Sequence, residues 1–166
     1  MQISKAVQAA MNDQIHKELE SAYIYLAMSA YFSAINHPGA AAWMRIQARE
    51  EVGHAMKFTD FVEDRGGVIK LKALPAPQAT YASPLAAFEA AAKHEAVVSS
   101  SINALYELSA KEKDYASQAL LQWFITEQVE EEKTSRQIVD TLRLIGSNTS
   151  GLYMFDRELG RRGQAG

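Results

Sequence analysis

Arg49-Glu50-Glu51-Val52-Gly53-His54-Ala55 sits in the middle of a segment with helical periodicity. Ala40, Met44, Gln47, Glu51, His54, Phe58 and Phe61 follow one another at steps of three and four, so they share one face of a helix. Glu51 and His54 therefore occupy positions where a core-facing helix is expected to be apolar. Three further segments do the same. One reads Ile15, Glu18, Ala22, Tyr25, Ser29, Phe32. Another reads Phe88, Ala91, Glu95, Val98, Ile102, Leu105. The last reads Leu121, Phe124, Gln128, Glu131, Ser135, Ile138, Leu142. A lone buried carboxylate costs several kcal/mol or gives up its charge. Four helices that place carboxylates at one height point to a shared purpose, and a bound multivalent cation is the simplest.

The punctuation divides the chain into a bundle. Ser4 is an N-cap for a first helix reaching about Asn36, where His37-Pro38-Gly39 stops it. Pro38 suits the first turn of a second helix, which ends at Arg65 before Gly66-Gly67. Residues 68–82 contain Pro75 and Pro77 and no helical period. So long a connector fits a bundle in which the chain travels the full length before the third helix starts. Ser83-Pro84 opens that helix, which runs to about Ala110. Asp114 caps a fourth, ending at Gly146, and residues 148–150 read as a loop. Residues 151–160, Leu152 to Leu159 above all, suggest a short fifth helix. The expectation is an all-α chain, residues 1–166 as a single domain. It comprises a four-helix bundle over 4–146, one long crossover between helices two and three, and the terminal helix.

Composition narrows the function. The chain has 166 residues, 48% of them hydrophobic, enough for one domain with a sizeable core. A net charge of −3 argues against nucleic acid as the main partner. Arg157, Arg161 and Arg162 gather near the C-terminus but read as solvated. The absence of cysteine excludes disulfides, thiolate zinc, iron–sulfur clusters and a thiol nucleophile. No apolar run approaches the ~20 residues that span a membrane, and residues 1–10 carry no signal-peptide pattern. The expected setting is soluble and cytoplasmic. Ile24 and Tyr31, opposite the inner seam of helix one, suggest a second buried face and hence an oligomer. Trp43, Trp123 and the six methionines read as core filler.

Glu51 and His54, three residues apart, can reach one ion. Mixed carboxylate and imidazole ligands suit iron, manganese or zinc. Di-iron bundles take one Glu from each of two helices and Glu-x-x-His from each of the other two. Here Glu18 and Glu95 are the single carboxylates and Glu51/His54 the one true Glu-x-x-His. Gln128 and Glu131 stand where the second would be. Taken singly, Glu18, Glu95 or Glu131 reads more readily as a solvated or paired face residue, and Glu130-Glu131-Glu132-Lys133 as an ordinary charged face. Only their coincidence across helices favours a metal. The residues alone leave three functions open: iron oxidation, di-iron chemistry on another substrate, and a bundle whose carboxylates are merely paired.

Four motifs together resemble the ferritin family, specifically its haem-free bacterial type. They are Lys17-Glu18-Leu19-Glu20-Ser21-Ala22-Tyr23-Ile24-Tyr25, Arg49 to Ala55, Lys93-His94-Glu95, and Gln122 to Lys133. The likeness extends to the terminal stretch Gly151 to Leu159. It implies a ferritin-like fold and a ferroxidase centre acting on Fe(II) and dioxygen. Glu18, Glu51 and His54 would hold the first iron, with Glu51 bridging. Glu51, Glu95 and Glu131 would hold the second, with Gln128 alongside. Tyr25 would hydrogen-bond near the centre as a candidate electron donor. Glu50, Glu127 and Glu130 match a third iron site facing an interior. The resemblance further implies a homo-oligomeric shell of twenty-four subunits, with the crossover and helix one at a two-fold contact and the last helix lining a symmetry channel. Bacterioferritins carry a haem-ligating Met two residues before the motif histidine. Val52 stands there, so no haem is expected.

Overall fold

The computed structural model describes residues 2–162, so the outermost ends of the expected domain, residue 1 and residues 163–166, lie outside the described residues. Five helices follow in order: α1 (Lys5–Ala34), α2 (Pro38–Asp64), α3 (Pro84–Lys111), α4 (Tyr115–Ile145) and α5 (Thr149–Leu159). The fold is all-α, a four-helix bundle with one long crossover and a short fifth helix. Contacts between Gln14 and Ser101 and between Ser21 and His94 show α1 and α3 running antiparallel. Contacts of His54 with Phe124 and Arg65 with Asp114 show the same for α2 and α4.

Expected caps form at Ser4, Ser83 and Asp114, each accepting a backbone N–H three residues on. The C-termini of α1, α2 and α3 all close in one way. A 6→1 bond joins His37 N to Phe32 O (2.9 Å), Gly67 N to Val62 O (2.8 Å) and Asp114 N to Ser109 O (2.8 Å). The residue turned left-handed at each end is Asn36 (φ 60°), Gly66 (φ 69°) or Lys113 (φ 54°). Only the second is glycine. Helix one accordingly stops at Ala34, two residues short of the expected Asn36. The fifth helix starts early, at Thr149, because Asn148 accepts the Gly151 amide at 2.8 Å; residues 149–150, read above as loop, are helical.

Residues 68–82 run along α1 from its start to its end. Gln8 Oε1 accepts the Val68 amide (3.1 Å), and Asn12 bonds the Val68 carbonyl (3.0 Å) and the Lys70 amide (2.5 Å). Lys72 pairs with Asp13, and Tyr81 packs edge-on to Tyr31 at 5.2 Å. Two borrowed side chains thus satisfy backbone groups that no ladder serves. This cover also corrects the expectation for Ile24 and Tyr31. Both pack against a core cluster of their own chain, and Tyr31 lies under the crossover, so neither argues for a second copy.

Helix α5 docks on the start of α2. His37, the N-cap of α2, makes no side-chain cap bond. Asp156 substitutes from across the fold, accepting the amides of Gly39 (3.0 Å) and Ala40 (2.8 Å) at the positive end of the helix dipole. The approach is so close that a Cβ on Gly39 would lie 1.6 Å from the Asp156 carbonyl oxygen.

The apolar core is divided in two. One cluster gathers Tyr25, Met28, Phe32, Trp43, Met44, Phe88 and Leu142. The other gathers Val7, Met11, Ile15, Phe58, Ile102, Leu121 and Phe124. Between them lies a layer containing the polar members of all four seams. Three residues expected to be core filler are not: Trp123, Met56 and Met154 are exposed.

Gly39→Ala should force α5 off the start of α2, at about 1–3 kcal/mol of overpacking cost. Chemical denaturation of the two proteins side by side checks this, and an unchanged midpoint would show that the junction yields freely.

Candidate metal centre

The layer between the two clusters holds Glu18 from α1, Glu51 and His54 from α2, Glu95 from α3, and Gln128 and Glu131 from α4, all buried. Helical spacing accounts for each, since every one continues an apolar seam. Glu18, Glu51 and His54 converge: each offers a ligand atom, and these atoms lie within 4.8 Å of one another. His54 Nδ1 is 3.2 Å from Glu51 Oε2. Glu95 forms a second focus. Tyr25 donates its hydroxyl to Glu95 Oε1, and Gln128 Nε2 donates to Glu95 Oε2 at 3.2 Å and to Ser99 Oγ at 3.2 Å.

Two glutamines complete the layer and were not singled out as site residues from the sequence. Gln14 Nε2 donates to Glu18 Oε1 (2.8 Å), and Gln47 Nε2 donates to Glu51 Oε1 (3.3 Å). Each stands four residues before its carboxylate, a repeated Gln-x-x-x-Glu spacing that was open to inspection. An amide donor steadies a carboxylate without bringing a competing positive charge. Among the described residues no lysine or arginine forms an ion pair with Glu18, Glu51, Glu95 or Glu131.

The electrostatic consequence is a group of carboxyls that hold their protons. Burial, then the neighbouring Glu51, raises Glu18 from 4.5 to about 8. Burial, then Glu95 and Glu131, pushes Glu51 well up. Burial raises Glu131 to about 7, against a lowering hydrogen bond from Gln47. Burial and Glu95 drive Tyr25 well above the usual phenol value, so it remains a donor. Glu18 Oε2 is buried with no hydrogen-bond partner. An orphaned carboxylate oxygen beside a second carboxylate and an imidazole is a cost that a cation would remove. The donor set of oxygens plus one nitrogen fits a borderline transition ion.

The remaining predicted residues lie at the rim. Glu50 is exposed and held by Arg162 at 2.5 Å; Glu130 is exposed and paired with Lys133 at 3.3 Å; Glu127 is half-buried. No three-residue ligand group other than Glu18, Glu51 and His54 converges among the described residues. Arg162, expected to be solvated, instead stacks on Trp43 with 4.4 Å to the ring centroid and bonds Gln47. Trp123 packs edge-on to His54 at 5.6 Å under the Lys57 ammonium, walling one side of the imidazole.

A sequence model of the ferritin-like domain matches residues 8–145. The chain belongs to the ferritin family. The bacterial non-heme ferritin of Bacteroides fragilis (strain 638R) is 40% identical over 160 residues, covering 96% of this chain and 99% of that protein. The bacterial non-heme ferritin of Staphylococcus haemolyticus is 38% identical, covering 96% of each. Among solved structures, an open pore ferritin from the hyperthermophilic archaeon Archaeoglobus fulgidus matches with a TM-score of 0.94 at 47% identity, covering 95% of this chain and 98% of that one. The ferritin resemblance read from four motifs is thereby established, and so is the ferritin-like bundle with its fifth helix.

In this ferritin the raised carboxyls fix a pH dependence. An unfolded glutamate loses its proton near 4.5, while folded Glu18 and Glu131 keep theirs to about 8 and about 7. Between those limits the folded state binds more protons, so metal-free stability should fall as pH rises from about 4.5 to about 8. Denaturation midpoints measured across that window should decline, and Glu18→Gln should flatten the decline. A midpoint that rises with pH in the metal-free protein would contradict the assignment.

Proposed function

We propose that the chain is an iron-storage ferritin with a ferroxidase centre in its bundle, oxidising Fe(II) with dioxygen and storing ferric mineral in a hollow homo-oligomeric shell. The observation that carries this is the convergence of Glu18, Glu51 and His54 with an unpartnered buried oxygen. In this reading Glu18, Glu51 and His54 hold one ferrous ion. Glu51 is shared with a second, held also by Glu95 and Glu131 with Gln128 alongside. Two ferrous ions bound there supply electrons to dioxygen. Glu18 and Glu131 give up protons as cations arrive, so binding is coupled to proton release. Gln14 and Gln47 orient the carboxylates, and Tyr25 orients Glu95 and stands close enough to serve as an electron donor. A third ion at Glu50, Glu127 and Glu130 belongs to the same reading and would have to displace Arg162 and Lys133. No haem is invoked, with Val52 at the position of that ligand.

Storage needs a container, and the proposal takes twenty-four copies of one domain. An apolar groove between α1, α2 and the crossover, lined by Leu19, Tyr23, Leu26, Val52 and Leu74, is a surface that assembly would bury. The reading includes a soluble cytoplasmic setting without nucleic acid or membrane as partner. No helix among the described residues is long and apolar enough to cross a membrane.

Di-iron chemistry on an apolar substrate is less well supported. The cavity that Gln128 lines, about 220 Å³, is walled by Ser99, Asn103, Glu132 and Arg136 as well as by Ile102 and Val129. Such a wall suits ions and water better than a hydrocarbon.

Oxygen consumption on adding Fe(II) separates the readings. The native protein should consume dioxygen in repeated rounds and accumulate mineral, while Glu51→Ala should lose the fast phase by at least about a hundredfold. Equal rates in the two proteins would remove Glu51 from the centre. A protein that ignores Fe(II) would leave only paired carboxylates.

A further inference from the structure

Beyond the ligands, one contact links the C-terminal turn to the centre. Arg162 follows α5, yet its Nη1 donates to Gln47 Oε1 at 2.7 Å and its Nη2 to Glu50 Oε2 at 2.5 Å. Its guanidinium lies on the Trp43 ring, which fixes the plane of the fork. Gln47 is fully buried. Its amide has one accepting end and one donating end, and a flip exchanges them. A guanidinium can only donate, so it draws the oxygen of Gln47 towards itself. The NH2 group must then face inward, where it donates to Glu51 Oε1 and serves Glu131. Without Arg162 the flipped amide would present an oxygen to carboxylates that already repel one another.

We propose that Arg162 is a positioning residue for the metal centre, locking the amide of Gln47 in the one orientation that offers a donor to Glu51. This rests on the metal-centre reading above. Its consequence is that the turn after α5 reaches the metal face of α2 through one side chain, whose guanidinium fixes the Gln47 amide and whose charge also bears on Glu131. The same fork keeps Glu50 occupied.

Cobalt(II) is a suitable probe, because its visible ligand-field bands report geometry without turnover. Metal-free native protein, Arg162→Ala, Gln47→Leu, the double variant and Leu159→Ala should be titrated with cobalt(II), with shell assembly followed by size exclusion. Arg162→Ala should assemble, bind cobalt(II) about tenfold more weakly and show altered bands, as expected when the support of a ligand is removed. In the Gln47→Leu background Arg162→Ala should cost nothing further, since the two act through one contact. Leu159→Ala, which loosens α5 without touching Gln47, should leave the bands unchanged. The proposal is overturned if Arg162→Ala matches the native protein, if its effect persists in full without Gln47, or if Leu159→Ala reproduces it. Should Arg162→Ala not assemble, the comparison of Gln47→Leu with native protein decides: unchanged bands and affinity overturn the proposal. Absence of cobalt(II) binding by the native protein would defeat the metal-centre reading itself, and this inference with it.

Discussion

Mutual repulsion among buried carboxylates governs this molecule. Glu18, Glu51, Glu95 and Glu131 share a layer from which water is largely excluded, between two well-packed apolar clusters. Among the described residues no lysine or arginine forms an ion pair with them, and the Arg162 charge eases only Glu131. With no metal, the layer is tolerated only because several carboxyls keep their protons and because Gln14, Gln47, Gln128 and Tyr25 supply neutral donors. A divalent cation bound there would replace those protons and relieve the repulsion. On the proposed reading, affinity for metal and instability without it are two aspects of one arrangement, since the groups that would bind an ion are those whose burial is costly without it.

The rest of the structure keeps that layer in place. Antiparallel packing of α1 with α3 and of α2 with α4 sets the four seams at one height. The crossover along α1 is the price of that topology, and Gln8 and Asn12 satisfy its backbone. At one end of the bundle Asp156 supplies the cap that His37 does not, and at the other Arg65 pairs with Asp114 at 2.7 Å to join the end of α2 to the start of α4. These junctions fix the helices along their axes. A slide of one turn would carry Glu51 about 5.4 Å from its partners.

Much of this was legible in the residues. Seam periodicity located Glu18, Glu51, His54, Glu95, Gln128 and Glu131 in the buried interior, because burial on a helix follows local spacing. Ser4, Ser83-Pro84, Asp114 and Gly66 announced their helix ends by local chemistry. What escaped was set by distance in the chain. Asp156 capping α2 and Arg162 orienting Gln47 join positions more than a hundred residues apart, and no spacing rule foretells them. Asn36 and Lys113 take left-handed turns that composition assigns to glycine. Trp123 looked like core, yet it covers His54 at the surface. The family motifs brought Glu50, Glu127 and Glu130 into view, but the side chains of Glu50 and Glu130 engage cations of their own chain.

The most direct measurement is anomalous diffraction from crystals of the protein loaded anaerobically with Fe(II). The account predicts two ions about 3.5–4 Å apart, one between Glu18, Glu51 and His54 and the other between Glu51, Glu95 and Glu131. Ions bound only at exposed carboxylates, with the layer between the two apolar clusters empty of metal, would contradict it.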